Sequence, residues 1–173
     1  MPARESDPIP PELHSEYEER PFQTCTRCGE LLAEIAEGYQ LFKLFRGGEP
    51  IYEYALCHPC HAGLIADFST ESRERLAEFH RQRVSLNLGR QCCAVCGNDR
   101  ADDPEYSLTA ACQGTGMVHA LMVCGPCRRE MQGLLSKHTR DVWDRFVNDN
   151  LTGAPQGTAS PVAPVSPLEL VPV

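Results

Sequence analysis

The residues of this sequence best suited to chemistry are its cysteines, eight of which form four Cys-x-x-Cys pairs. The pairs are Cys25/Cys28, Cys57/Cys60, Cys93/Cys96 and Cys124/Cys127. Such a turn places two sulfur atoms on one side of a metal ion, and a structural Zn²⁺ takes four such ligands in a tetrahedron. The second pair follows the first after 28 residues, and the fourth follows the third after 27. This repeated spacing predicts two four-cysteine zinc sites.

The cysteine count also bears on the compartment. Ten cysteines in 173 residues indicate either disulfides in a secreted chain or metal binding in a reducing compartment. The polar, acidic stretch from Met1 to Pro21 lacks the apolar core of a signal peptide. No apolar run approaches the roughly 18 residues that a membrane span requires. We therefore expect a cytoplasmic protein that binds metal and no membrane.

The elements that position these cysteines are duplicated along the chain. The first two cysteines of the two sets are 68 residues apart and the last two are 67 apart. From Tyr39 to Phe79 the second copy aligns at an offset of 67 without a gap, so that Tyr39 meets Tyr106 and Pro59 meets Pro126. Self-similarity at a fixed offset indicates two copies of one supersecondary unit.

Each copy predicts the same order of secondary structure. A Cys-x-x-Cys-Gly turn comes first, and two β-rich runs around a glycine-containing turn follow it, as in YQLFKLF, RGGEP and IYEYALC. The second Cys-x-x-Cys pair, with a proline between its cysteines, then opens a helical stretch. Ser69 fits the N-cap of a further helix. The pattern predicts a zinc knuckle, a β-hairpin and helices, with Cys60 and Cys127 in a first helical turn.

This arrangement resembles the treble-clef zinc finger, in which the last two ligands lie at the start of the helix. The resemblance covers roughly residues 22–83 and 90–150. It implies two structural Zn²⁺ ions, one held by Cys25, Cys28, Cys57 and Cys60, the other by Cys93, Cys96, Cys124 and Cys127. Treble clefs serve many unrelated roles, so the resemblance does not choose a function.

The predicted fold is a small α+β protein of two treble-clef-like units, at residues 21–88 and 89–150. A disordered acidic arm is predicted over 1–20, where six acids and four prolines accompany two arginines. A disordered Pro-rich tail is predicted over 151–173, and its apolar stretch Leu168–Val173 is either a docking peptide or a frayed end. Each unit is too small for a large core, so metal binding is expected to fold it.

Two cysteines remain outside the predicted sites. Cys92 precedes Cys93 and could replace it as a ligand, but the repeat offset selects Cys93. Cys112 aligns with Phe45 in the hairpin, which predicts a small core residue. A reactive thiol and a Cys92–Cys112 pair are the alternatives.

HNH nucleases are the enzymatic alternative, because some of them end a treble clef with a sequence like Leu56–His61, LCHPCH. Such an enzyme needs a hairpin histidine to activate water, and further ligands for its catalytic metal. The sequence between Cys28 and Cys57 contains neither His nor Asn, and His119 and Asn98 of the second copy lack the Asp/Glu-His pair of that family. The chain is therefore predicted not to be an active nuclease.

Iron is the alternative metal, because four cysteines in two knuckles also hold iron in rubredoxin-like proteins. Those proteins have two similar Cys-x-x-Cys-Gly turns, whereas His61 and Arg128 follow the second pair of each set here. This difference favours zinc. With four thiols available, His58 and His61 are predicted to lie beside the first site without binding its metal.

The charge pattern bears on the partner. Residues 71–90 contain Arg73, Arg75, Arg81, Arg83 and Arg90. Glu71, Glu74 and Glu78 offset them, and the whole chain has a formal charge of −8, whereas nonspecific nucleic-acid binding relies on clustered Lys and Arg. We therefore expect a non-enzymatic module that binds a protein, with nucleic-acid binding as the second hypothesis and a degenerate nuclease as the third.

Overall fold

The structure is a computed structural model that describes residues 6–151. Within this range it contains one five-stranded antiparallel sheet and four α-helices. The strands are β1 (Asp7–Pro8), β2 (Tyr39–Arg46), β3 (Glu49–Cys57), β4 (Glu105–Gln113) and β5 (Gly116–Cys124). The helices are α1 (His58–Ala66), α2 (Thr70–Arg83), α3 (Gly125–Gln132) and α4 (Lys137–Asn150). The predicted tail beyond Leu151 lies outside the described residues, and no described helix has the length and apolar character of a membrane span.

The sheet joins the two copies of the repeat. Its strand order is β1-β5-β4-β2-β3, so the predicted hairpins β2–β3 and β4–β5 meet through β2 and β4. Phe42 of β2 lies opposite Thr109 of β4, which is its own equivalent under the 67-residue offset. A residue pairs with its own equivalent only at a two-fold axis. The two units are therefore related by an approximate two-fold axis through this pair, and they build one continuous sheet.

Helix α4 of the second unit packs against the hairpin of the first. The ring of Tyr54, in the first hairpin, packs edge-on against Trp143 and Phe146 of α4, with centroid separations of 5.8 and 5.7 Å. Phe42 stacks on Tyr54 at 5.0 Å, and all four rings are buried. The last helix of the second unit thus covers the hairpin of the first, so both units share one hydrophobic core.

Residues 6–20, which the sequence predicts to be part of a disordered arm, contact the sheet at β5 and at Lys43 of β2. The structure differs from this prediction: β1 pairs with β5, and the side chains of Ile9 and Leu13 are buried in the core. Acids and prolines dominate the composition of this segment, yet two of its apolar residues are buried. We call residues 6–20 the strap.

A buried ion pair fixes the strap to the first hairpin. Lys43 and Glu53 lie opposite each other on β2 and β3, with Nζ 3.4 Å from Oε2 and side-chain exposures of 0% and 4%. Lys43 Nζ also donates to the carbonyl of His14 at 2.8 Å and to Glu16 Oε1 at 2.9 Å. In return, the Glu53 carboxylate accepts from Ser15 Oγ and from the backbone N–H of Glu16. The strap therefore supplies the hydrogen bonds that a buried charge pair needs.

A cluster of hydroxyl groups links the N-termini of α2 and α4. Ser69 and Ser136 cap these helices and lie 2.8 Å apart through their Oγ atoms. The backbone N–H of Ser69 donates to Thr139 Oγ1 at 2.9 Å, and that of Ser136 donates to Ser72 Oγ at 2.8 Å. These four residues form two pairs of equivalents under the 67-residue offset. The same hydroxyls that cap each helix thus also hold the two units together.

We expect Ser69→Ala and Ser136→Ala each to lower the free energy of unfolding by about 1–2 kcal/mol, because each removes a helix cap and an inter-unit hydrogen bond. The double variant should lose less than the sum, since both changes delete the same Ser69–Ser136 bond. Urea denaturation of the three variants beside the unchanged chain measures all three values. Additive losses within about 0.5 kcal/mol would show that the two caps act independently.

Candidate metal centres

The first group of four cysteines lies between the start of the first unit and its helix α1. Cys25 and Cys28 occupy a tight turn, closed by the N–H of Gly29 donating to the carbonyl of Cys25 at 2.9 Å. Gly29 has φ of +77°, a conformation that glycine adopts without strain. Cys57 ends β3 and precedes α1, and Cys60 lies in the first turn of that helix. The hairpin therefore returns the chain to the knuckle, as the spacing predicts.

The second group repeats this geometry in the second unit. Its knuckle carries Cys93 and Cys96, with the N–H of Gly97 donating to the carbonyl of Cys93 at 2.8 Å. Cys124 ends β5, and Cys127 lies in the first turn of α3. In both groups the sulfur atoms all lie within 4.8 Å of one another, and one thiol is exposed at the surface. Each group could therefore hold one metal ion.

One sulfur–sulfur separation in each group matches the edge of a tetrahedral zinc site. Four ligands at the Zn–S distance of about 2.3 Å lie about 3.8 Å apart along the edges of a tetrahedron. Cys28 Sγ lies 3.8 Å from Cys57 Sγ, and Cys96 Sγ lies 3.7 Å from Cys124 Sγ. Four thiols are also the donor set that structural zinc prefers. The residues present thus fit the ion that the sequence predicts.

Backbone amides favour a thiolate at one position of each group. Burial alone would raise the pKa of Cys25, but backbone N–H groups from Cys28, Cys57 and Arg27 lower it to about 7. The N–H of Cys57 lies 3.4 Å from Cys25 Sγ. In the second group, backbone N–H groups likewise overcome burial and lower the pKa of Cys93. A metal ion binds deprotonated sulfur. By stabilising the thiolates of Cys25 and Cys93, these amides favour the binding of a cation at both knuckles.

Burial acts in the opposite direction on the later cysteines of each group. It raises the pKa of Cys57 and Cys60, and it raises the pKa of Cys124 to about 11. Close thiols also disfavour a second negative charge beside the first. Without a cation, these later cysteines would therefore keep their protons at neutral pH. Metal binding should release several protons per site.

The remaining cysteines lie outside both groups. Cys93 belongs to the second group and Cys92 does not. The backbone of Cys92 pairs with that of Asp99 in an isolated antiparallel β-bridge. Cys112 is fully buried in β4, and burial raises its pKa to about 12. Both thiols are free. The position of Cys112 agrees with the predicted core residue.

Beyond the two cysteine groups, the structure brings no further set of metal ligands together among residues 6–151. The only groups of three or more His, Cys, Asp or Glu side chains placed to share an ion there are the two cysteine groups. His119, the histidine considered for nuclease chemistry, lies in β5, and burial lowers its pKa. Asn98 follows the second knuckle, where its carbonyl accepts from the N–H of Cys93. His58 and His61 begin α1, and neither belongs to the first group.

His80 is a buried titratable residue that sequence reasoning does not single out, because it lies in an ordinary helical pattern. It is 6% exposed on α2, and neither ring nitrogen has a hydrogen-bond partner. Burial lowers its pKa to about 4, because the charged imidazolium loses hydration. The folded chain therefore excludes a proton that the unfolded chain binds at mildly acidic pH.

This pKa predicts acid sensitivity. Between about pH 6.5 and pH 4 the unfolded chain binds more protons at His80, so stability falls as the pH falls through this window. At pH 5 the loss should be about 2 kcal/mol. His80→Leu should remove that loss, whereas His138→Leu on the exposed surface of α4 should keep it. Urea denaturation in excess zinc, with the metal content checked by native mass spectrometry, measures the difference; equal pH profiles would contradict the prediction.

Comparison of the chain with protein-family models, with curated proteins and with solved structures finds no match in any of the three.

Proposed function

We propose that this chain is a cytoplasmic, non-enzymatic interaction module whose two treble-clef-like units are each held by one structural Zn²⁺. The two groups of four thiols, each with one sulfur–sulfur separation that matches the edge of a tetrahedral zinc site, carry the proposal. The ions would be bound by Cys25, Cys28, Cys57, Cys60, Cys93, Cys96, Cys124 and Cys127. A site closed by four protein ligands leaves no open position for substrate, which supports a structural role.

The location of the thiols supports this role. Each group connects the knuckle, the end of the hairpin and the start of a helix, which are the parts of a unit that must be fixed relative to one another. The zinc ion would cross-link these parts within each unit. Because the two hairpins belong to one sheet, fixing these parts in one unit would also stabilise the other unit.

The surface charges support a protein partner over a nucleic acid. Four of the five arginines in residues 71–90 form ion pairs with carboxylates: Arg75 with Glu71, Arg81 with Glu78, Arg83 with Glu130, and Arg90 with Glu12. Arg128 is buried and pairs with Glu105. Few free cations remain on this stretch to displace counterions from a phosphate backbone.

Metal analysis of the purified full-length chain tests the zinc proposal. Native mass spectrometry and elemental analysis should give about two zinc ions per chain and no absorption from iron–thiolate bonds. A red protein containing iron, or a fully folded chain without metal, would refute the proposal.

Binding experiments test the partner class. Capture of a specific protein from the native host, at a physiological salt concentration, would support the interaction role. Tight, salt-dependent binding to DNA or RNA would replace it with the nucleic-acid hypothesis. Mg²⁺-dependent cleavage of DNA that is lost in His119→Ala would instead indicate a nuclease.

A further inference from the structure

The outer edge of β3 forms the floor of a groove of about 380 Å³. Residues 15–26 form one wall, and the end of α4 forms the other. Apolar contacts are offered by Phe22, Ile51 and Leu151. We call this site the edge groove.

The strand at the floor of the edge groove has unused hydrogen-bonding capacity. Ala55 pairs outward with Thr26: the N–H of Thr26 donates to the carbonyl of Ala55 at 2.7 Å, and the N–H of Ala55 donates to Thr26 Oγ1 at 3.0 Å. Since alternate residues of a strand direct their backbone groups to the same edge, Glu53 faces outward too. Within residues 6–151, the backbone N–H and C=O of Glu53 have no partner at this edge. Such an edge can accept another strand.

The approximate two-fold symmetry shows what covers the corresponding edge of the other unit. There β1, from the strap, pairs with β5, with Asp7 opposite Met117 and Pro8 opposite Gly116. The 67-residue offset carries these two β5 residues onto Glu49 and Pro50 of β3. One edge of the sheet thus receives a short strand from residues 7–8, while no strand among residues 6–151 pairs with the outer edge of β3.

The segment that follows α4 starts at this open edge. Leu151 lines the edge groove, and 22 residues follow it in the sequence. The apolar stretch Leu168–Val173 belongs to this segment, and Glu169 is its only charged side chain. The 16 intervening residues reach up to about 50 Å when extended, which exceeds the length of the groove floor.

We propose that the edge groove binds Leu168–Val173 of the same chain as an added β-strand beside β3. Backbone groups of the segment would pair with Glu53 at the strand edge. The two-residue alternation of a strand would direct Leu168 and Leu170 together toward Phe22 and Ile51, leaving Glu169 on the opposite side of the added strand. The inference does not depend on the metal sites.

NMR spectroscopy of the metal-loaded, full-length chain tests this proposal. Methyl groups of Leu168 and Leu170 should show nuclear Overhauser effects to Ile51 and Phe22. The amide of Glu53 should exchange with solvent at least tenfold more slowly than in the double variant Leu168→Asp/Leu170→Asp. The matched control, Val162→Asp/Val165→Asp, places the same two charges earlier in the segment and should leave both signals unchanged.

Two outcomes would overturn the proposal. Absence of these Overhauser effects, with equal exchange of the Glu53 amide in all three proteins, would show that the segment does not occupy the edge groove. Protection that grows with protein concentration, together with a dimer in sedimentation, would assign the groove to a second copy of the chain. Concentration-independent protection in a monomer supports binding within one chain.

Discussion

Chelation of the bound metal should unfold the entire chain and not only the neighbourhood of the cysteines. Structural zinc in small units contributes about 10–16 kcal/mol of apparent binding free energy at neutral pH. Natural domains are stable by only about 5–15 kcal/mol, so the metal-free chain is expected to be unfolded. Because the two hairpins share one sheet and one core, neither unit should survive alone. Circular dichroism during titration with a strong chelator should show loss of helix and strand together, restored by added zinc.

Single cysteine variants test which residues bind the metal. Cys57→Ala and Cys124→Ala should each reduce the bound zinc well below two ions per chain and destabilise both units, because a ligand of one group is lost and the units share one core. Cys112→Ala is the matched control, since Cys112 is equally buried but lies outside both groups. It should retain both ions and lose about 1 kcal/mol through the small cavity that it leaves. Equal zinc content in all three variants would contradict the assigned ligands.

Replacing Lys43 by Met should lower the free energy of unfolding by about 3–5 kcal/mol. Removing one partner of a buried ion pair leaves the other charge uncompensated, and Glu53 has almost no access to water. Lys43→Met nearly preserves the volume, so the loss reports charge and hydrogen bonding more than a cavity. The backbone amides of Ser15 and Glu16 should exchange faster in the variant, because the strap loses its attachment. Urea denaturation and NMR-detected hydrogen exchange measure the two effects.

The second unit suggests the control for this experiment. The 67-residue offset places Ala110 and Ala120 at the positions of Lys43 and Glu53, and these two alanines also lie opposite each other in the sheet. An uncharged pair is therefore compatible with this site of the fold. Lys43→Met combined with Glu53→Leu should recover a large part of the stability lost in Lys43→Met, while the exchange at Ser15 stays fast. A loss below about 1 kcal/mol in Lys43→Met alone would show that the ion pair is not a principal attachment.

The cysteine groups, the hairpins and the helix starts could be predicted because their signals are local. A Cys-x-x-Cys-Gly turn, a glycine pair such as Gly47-Gly48 and an N-cap such as Ser69 each act within a few residues. The repeat then extended these local signals to the second unit. The four pairs come together as two groups that could each hold an ion, as the spacing predicts, while the binding of zinc stays a prediction.

The joining of the units could not be predicted, because it depends on contacts far apart in sequence. The pairing of Phe42 with Thr109 has no signal in the local sequence, because both strands have the sequence pattern of ordinary hairpin strands. Composition also misdirected the assignment of the strap, where the burial of Leu13 outweighs the surrounding acids. One usable signal was present: a hairpin turning at Gly47-Gly48 brings Lys43 and Glu53 close to each other, and oppositely charged residues at such positions indicate a cross-strand ion pair.

The junction of the hairpins at β2 and β4 sets an order of events during synthesis on the ribosome. The first hairpin is complete at Cys57, but β4, which pairs with its inner strand, ends only at Gln113. Translation at about 5–20 residues per second delays the arrival of that partner by several seconds. Through this interval the nascent chain exposes the hydrogen-bonding edge of β2 and the aromatic face that α4 later covers. The first half of the molecule thus depends, while it is being made, on sequence that has not yet been translated.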